Sequence, residues 1–145
     1  MLFNNAHNTK KQGDLGEARA IYEYTRLGYV VCKPLCDSAK YDLIVEKDGN
    51  IKRIQVKTSA RKSKYGAYEV GLRTTGGNQS FNTAKLRNNG DYDELFILVD
   101  DGRCWMIPEE FLLNGNSINV GKDGYKDFLV DVGAGEPSEA VNLVP

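Results

Sequence analysis

Apolar and polar positions alternate most clearly between Tyr41 and Ser59. There two β-branched-rich runs, Leu43 to Val45 and Ile51 to Val56, flank Asp48-Gly49. Asp-Gly between such runs is a strong hairpin signal, because Gly accepts the positive φ of a type I′ turn. With Asp48 and Gly49 at the centre of the turn, Lys47 faces Asn50. Continuing the ladder sets Asp42 across from Gln55, with Cβ atoms roughly 5 Å apart. Side chains alternate along a strand, so Leu43, Val45, Ile54 and Val56 share a buried face. Asp42, Gln55 and Lys57 then converge on the polar face.

The other periodic stretches are weaker. Residues 1–8 read as a flexible arm. Thr9 followed by Gln12 has the spacing of a capping box, and a helix is expected from there. Leu15, Ala18, Ile21, Tyr22 and Thr25 make one helical stripe, the expected buried face. Gly28 is placed to end the helix after Leu27. Gly13 weakens it, and close approach of another backbone is one reason to tolerate a glycine there. Tyr29 to Lys33 reads as a short strand stopped by Pro34, and Tyr68 to Leu72 as another. Arg73 to Asn82 is expected to be an exposed loop and Thr83 to Asn88 a short helix. Leu95 to Val99 and Arg103 to Ile107 form a second hairpin around Asp101-Gly102, with Trp105 and Met106 closing the core. Pro108 to Leu113 reads as a short helix. Residues 125–132 read as a strand or helical turn, and the tail from Gly133 as loosely held.

At 145 residues the chain suits one domain with a real core. We divide it into the arm, a catalytic core over 9–113, and a C-terminal extension over 114–145 that is loosely held or serves oligomerisation. No run of about 18 apolar residues is present, so no membrane span is expected. Three cysteines without framework spacing make a reduced, cytoplasmic compartment the default. With one histidine, a four-ligand zinc site is not expected. Gly121-Lys122 lacks the spacing and the Ser/Thr of a phosphate-binding loop.

Net charge is −1, but its distribution is uneven. Residues 52–87 carry nine Lys/Arg against Glu69 alone, whereas residues 88–145 carry three against twelve Asp/Glu. A basic middle third points to a polyanion, or to an internal match with the acidic end.

A carboxylate, an amide oxygen and an ammonium on one strand pair suit phosphate chemistry. The two oxygens can hold a hard dication such as Mg²⁺. The lysine can orient a water, and the dication stabilises charge on the attacked phosphate. The plainer reading leaves Asp42 at a strand start and Gln55 and Lys57 as solvated edge residues. Glu17, one turn after Gly13, either is a solvated helix charge or adds an acid near Asp42.

Gly13-x-x-x-Glu17 on a helix, then Tyr41-Asp42, then Gln55-Val56-Lys57, resembles the PD-(D/E)xK nuclease superfamily. The words Lys11 to Glu17, Tyr41 to Val45, Arg53 to Thr58 and Trp105 to Pro108 resemble its group I intron homing endonucleases. The resemblance implies an α/β, restriction-endonuclease-like core, a mixed central β-sheet flanked by helices. It implies Asp42, Gln55, Glu17 and the Val56 carbonyl as metal ligands. Glu17, Asp42, Gln55 and Lys57 would form the catalytic set. Mg²⁺ would be the cofactor, Mn²⁺ a substitute and Ca²⁺ a non-catalytic mimic. Gln55 stands where most relatives have an acid, which places more weight on Glu17.

The implied substrate is double-stranded DNA, cut to 5′-phosphate ends by a homo-oligomer, a dimer or a tetramer. Lys11, Ser59, Arg61, Lys62, Lys64, Arg73, Asn78, Gln79, Lys85 and Arg87 are the candidate DNA contacts. Arg, Asn and Gln can read base edges bidentately. A junction-resolving, restriction or repair nuclease shares the same motif. From other classes, a DNA-binding protein that has lost catalysis and a domain docking an acidic protein remain as alternatives.

Overall fold

Asp48 (φ 53°) and Gly49 (φ 83°) both adopt positive φ, as a type I′ turn requires. Around them the first hairpin forms in the expected register, with Lys47 opposite Asn50 and Leu43 opposite Ile54. The computed structural model describes residues 1–75, 84–85, 90–113 and 115–131, with the backbone alone at 74–75 and 84–85. Its elements run α1 (Thr9–Arg26), β1 (Val30–Cys32), β2 (Leu43–Lys47), β3 (Asn50–Ser59) and β4 (Tyr68–Gly71). There follow β5 (Thr74–Thr75), β6 (Ala84–Lys85), β7 (Glu94–Val99), β8 (Cys104–Pro108) and β9 (Ser117–Val120). Two 3-10 turns lie at Glu109–Phe111 and Lys126–Phe128.

Five strands make one mixed sheet in the order β1-β2-β3-β7-β8. Among the described residues only the β3–β7 pair is parallel. The second hairpin, β7–β8, turns through Gly102 at φ 92°. Alternation along β7 splits the core in two. Phe96 and Leu98 face α1 together with Leu43, Val45 and Ile54. Leu95, Ile97 and Val99 face the other way, onto Tyr68, Val70, Ile118 and Val120 of the β4–β9 ribbon. Leu43, Val45 and Ile54 have no exposed surface. Burial of each contributes about 1.5–3 kcal/mol. The fold is α/β, with its one described helix on one sheet face and a two-stranded ribbon over the other. Among the described residues no helix is long and apolar enough to cross a membrane.

Several local expectations are corrected. Asn8, not Thr9, caps α1, its side chain accepting from the Lys11 N–H at 2.9 Å. The helix buries Gly16, Ala20, Glu23 and Tyr24, while Leu15, Ile21 and Tyr22 are exposed. Small residues let the helix backbone lie close to the sheet, and buried Glu23 is neutralised by Arg19 and Arg26. Gly13 meets nothing within 4 Å, and the close approach falls at Gly16 instead. The arm is docked: Phe3 and Ala6 are buried, and Phe3 N–H donates to Asp100 Oδ1 at 2.7 Å.

Ala84–Lys85 is a strand paired with Thr74–Thr75, where a loop and a helix were expected. Residues 76–83 and 86–89 lie outside the described residues, as do 114 and 132–145. The core does not end at 113. Ile118 and Val120 are buried in it because β9 pairs with β4.

Candidate active site

β2 begins at Leu43, one residue after Asp42, while β3 runs on past it. The Val56 N–H, on the β2 side of β3, therefore lies beyond the end of the neighbouring strand. It takes the Asp42 carboxylate as its partner, with N to Oδ2 at 2.7 Å. The Asp42 N–H donates to the Ile54 carbonyl at 2.8 Å, which holds the aspartate against β3. Gln55 Nε2 donates to Asp42 Oδ2 at 2.9 Å and to the Val56 carbonyl at 3.3 Å. One side chain, one carboxylate and one backbone carbonyl thus meet at a point, and Gln55 is buried there.

Lys57 shares the Gln55 face and is half-buried. Its Nζ donates to the Arg73 carbonyl at 2.9 Å. Burial holds its pKa below the ordinary lysine range, and the nearby Asp42 charge opposes that shift. Burial pushes the Asp42 carboxyl up, and the Glu17 charge adds to this. The Val56 N–H, Lys57 and Lys33 pull it back.

Glu17 enters from α1. A Cβ at Gly16 would lie 2.5 Å from Thr58 Cγ2 and 3.2 Å from Val56 Cγ1, so only glycine lets the helix approach β3 so closely. The next residue, Glu17, then reaches a hollow of about 260 Å³ that Asp42 and Tyr41 also line. The segment Lys33 to Asp37 forms the opposite wall. Lys33 Nζ lies 2.5 Å from Glu17 Oε1.

Glu17, Asp42, Gln55 and the Val56 carbonyl are thus gathered at the open end of the first hairpin. Lys57 joins them through its charge, while its amine is turned to Arg73. Among the described residues no group of three His, Cys, Asp or Glu is arranged to hold a metal. The donors here are two carboxylates, an amide and a backbone carbonyl, an oxygen set that suits a hard dication. Gln55 presents its NH₂ to the two oxygens that would share a cation. Turning that amide by half a rotation presents Oε1 instead, so the residues fit.

The candidate DNA contacts separate. Lys11, Arg61, Lys62, Lys64 and Arg73 are exposed. Ser59 is buried: its hydroxyl donates to the Glu69 carbonyl and accepts from the Arg61 N–H. Of Lys85 the backbone alone is described, and Asn78, Gln79 and Arg87 lie outside the described residues. Lys33 is the residue the sequence reading missed. Its only signal was its position at the end of a strand, before Pro34. Beside the exposed Lys64, Lys122 also stands over the Tyr65 ring, with Lys64 Nζ 5.0 Å and Lys122 Nζ 5.8 Å from its centroid.

This geometry agrees with what the chain is similar to. "Protein 5.3" of Escherichia phage T7 is 32% identical over 101 residues, covering 68% of this chain and 77% of that protein. The bacterial homing endonuclease I-Ssp6803I has a similar structure, with a TM-score of 0.68 and 26% identity over 94% of this chain and 93% of that one. The PD-(D/E)XK endonuclease family model matches residues 7–121, from the residue before the α1 cap to the residue after β9. The matched span contains all four motif side chains, and the chain belongs to the PD-(D/E)XK endonuclease family of nucleases.

Proposed function

We propose that this protein is a sequence-specific, Mg²⁺-dependent double-strand DNA endonuclease, a homing endonuclease acting in the cytoplasm as a homo-oligomer. The observation that supports it best is the meeting of Asp42, Gln55 and the Val56 carbonyl at the end of one hairpin, with Glu17 lining a hollow together with Asp42. The likeness to I-Ssp6803I, a bacterial homing endonuclease, supports the homing reading.

Asp42, Gln55, the Val56 carbonyl and Glu17 would hold the dication, which supplies charge stabilisation at the attacked phosphate. Mn²⁺ would substitute for it, and Ca²⁺ would occupy the site without cutting. Lys57 orients the attacking water. The water oxygen gives up a proton and forms the new bond to phosphorus; the bond to the 3′ oxygen breaks, and that oxygen leaves with the electron pair and takes a proton from solvent. The products are a 5′-phosphate and a 3′-hydroxyl. The lowered pKa of Lys57 leaves more of its amine neutral than in an exposed lysine, and so able to take a proton from the water. Exposed Arg61, Lys62, Lys64 and Arg73 would hold the DNA backbone and read base edges. Two strand cuts require two such centres, hence a dimer or tetramer.

Incubation of supercoiled DNA with the protein and Mg²⁺, with and without chelator, tests the reading. Cutting is expected only with free metal. Intact DNA under both conditions, with binding that weakens as salt rises, would instead point to a DNA-binding protein without catalysis.

A further inference from the structure

The Glu17 carboxylate already has a cation beside it. Lys33 Nζ lies 2.5 Å from Glu17 Oε1, with the lysine side chain 64% exposed and the glutamate 27%. The backbone explains the encounter. β1 runs antiparallel to β2 with Cys32 opposite Ile44, so the next residue, Lys33, falls beside Leu43 and near Asp42. Pro34 keeps Lys33 extended. Val31 packs into the core beneath α1, and Lys33, two residues on, takes the same side of the strand, where Glu17 lies. Its ammonium lines the same hollow as Glu17 and Asp42. Its charge reaches Asp42, and Glu17, Asp14 and Asp42 all stabilise it in its charged form.

We infer that Lys33 is the resident counter-ion of the pocket formed by Glu17 and Asp42, and that a divalent cation must displace it to enter. This rests on reading Glu17 and Asp42 as metal ligands. An ammonium at hydrogen-bond distance from Glu17 Oε1 and a dication bound at about 2.0–2.1 Å to the same oxygen would repel each other in one small space. One of them leaves. Lys33 is the one free to leave, because its stem is exposed and an exposed pair is cheap to break. Lys57 differs: it is half-buried and its amine is engaged by the Arg73 carbonyl, away from Glu17. Of these two lysines, Lys57 serves the reaction and Lys33 sets how tightly the pocket takes metal. In the metal-free protein Lys33 also relieves the repulsion between Glu17 and Asp42.

Calorimetric titration with Ca²⁺ tests this without any cleavage. Lys33→Met should bind Ca²⁺ about threefold to tenfold more tightly than the unmodified protein, the effect of removing one charge at a solvent-exposed pocket. Lys33→Arg, which keeps the charge, should stay near the unmodified value. Asp42→Asn should lose the binding. An unchanged or weaker affinity in Lys33→Met overturns the counter-ion role; if Asp42→Asn still loses binding, the metal pocket itself stands. Ca²⁺ binding that survives Asp42→Asn at full strength, or is absent from both the unmodified protein and Lys33→Met, overturns the pocket and the counter-ion together. Binding seen only after Lys33→Met supports the displacement in its strongest form.

Discussion

Gly16 of α1 lies against Thr58 of β3 so closely that a Cβ at the first would come within 2.5 Å of Cγ2 of the second. Thr58 is β-branched and stiff at χ1, so it has little room to give. Gly16→Ala should therefore destabilise the protein by about 1–3 kcal/mol through overpacking, despite the helix-propensity gain of about 1 kcal/mol. Nuclease activity should fall at temperatures where the variant is still folded, because the helix that carries Glu17 is pushed off the sheet. Gly13→Ala is the control. It meets nothing within 4 Å, so it should stabilise by up to about 1 kcal/mol and leave cutting intact. Urea denaturation and a plasmid-cleavage assay on both variants check the pair.

The first hairpin was legible because its signals are local. Asp48-Gly49 sets the turn, alternation sets the faces, and together they bring Asp42 to Gln55 across the strands. The buried face of α1 was not legible from hydrophobicity. The helix packs by Gly16 and Ala20, which score as weakly apolar, and by Glu23, whose burial depends on Arg19 and Arg26. Gly16-x-x-x-Ala20 is a small-residue pair one turn apart, and that spacing was the overlooked sign. β9 was missed because its partner, β4, lies more than forty residues earlier, and such pairing leaves no short-range trace. Ala84–Lys85 was read as helix because two-residue strands exist only through their partners. In the site, the carboxylates were visible as residue types, while the ion pair of Glu17 with Lys33 depends on where β1 ends.

Asp42 should cost stability at neutral pH. Burial raises its folded-state pKa, so between the ordinary carboxylate range and that raised value the folded protein holds more protons than the unfolded chain. Stability contributed by this group is complete below the window and is lost as pH rises through it. With chelator present, Asp42→Asn should be as stable as the unmodified protein or more so at pH 7, and should show a shallower fall in stability from pH 4 upward. Its cutting rate should drop by about two orders of magnitude or more, since even the partners of metal ligands are worth about 10–100-fold. Denaturation curves across that pH range check the stability sign. A variant less stable at pH 7 than at pH 4, relative to the unmodified protein, would contradict it.

Lys57 carries the opposite sign. Its folded-state pKa is lowered by burial, so at pH values between the lowered and the ordinary value the unfolded chain holds the extra proton. The contribution of Lys57 to stability is present above the ordinary lysine range and declines as pH falls through the window. Below that window the charged amine is therefore a cost, only partly met by its bond to the Arg73 carbonyl. Lys57→Met keeps the length and removes the charge, and it should fold at least as stably at pH 7. Cutting should fall by about 10²–10⁴, the usual worth of positioning and proton transfer. DNA binding, read by mobility shift in Ca²⁺, should stay close to that of the unmodified protein. Near-normal cutting by this variant would remove Lys57 from the reaction.

Gln55→Glu exchanges a donor for a charge at the point where Asp42 and the Val56 carbonyl meet. The amide now satisfies both acceptors, at 2.9 and 3.3 Å. A glutamate there would satisfy neither while ionised, and it would set a second buried carboxylate against Asp42. Without metal the variant should lose about 1–3 kcal/mol: the Val56 carbonyl loses its donor, and Asp42, which keeps the Val56 N–H, gains a like charge beside it. The added negative charge should strengthen attraction for a dication at the same oxygens, so saturating Ca²⁺ should recover the lost stability and raise the melting temperature further than it does in the unmodified protein. The larger Ca²⁺-induced shift is the decisive quantity, because a merely damaged core would lose stability in both conditions by the same amount. A thermal melt with and without Ca²⁺, run beside Asp42→Asn, distinguishes the two: equal shifts in Gln55→Glu and the unmodified protein would place the metal away from Gln55.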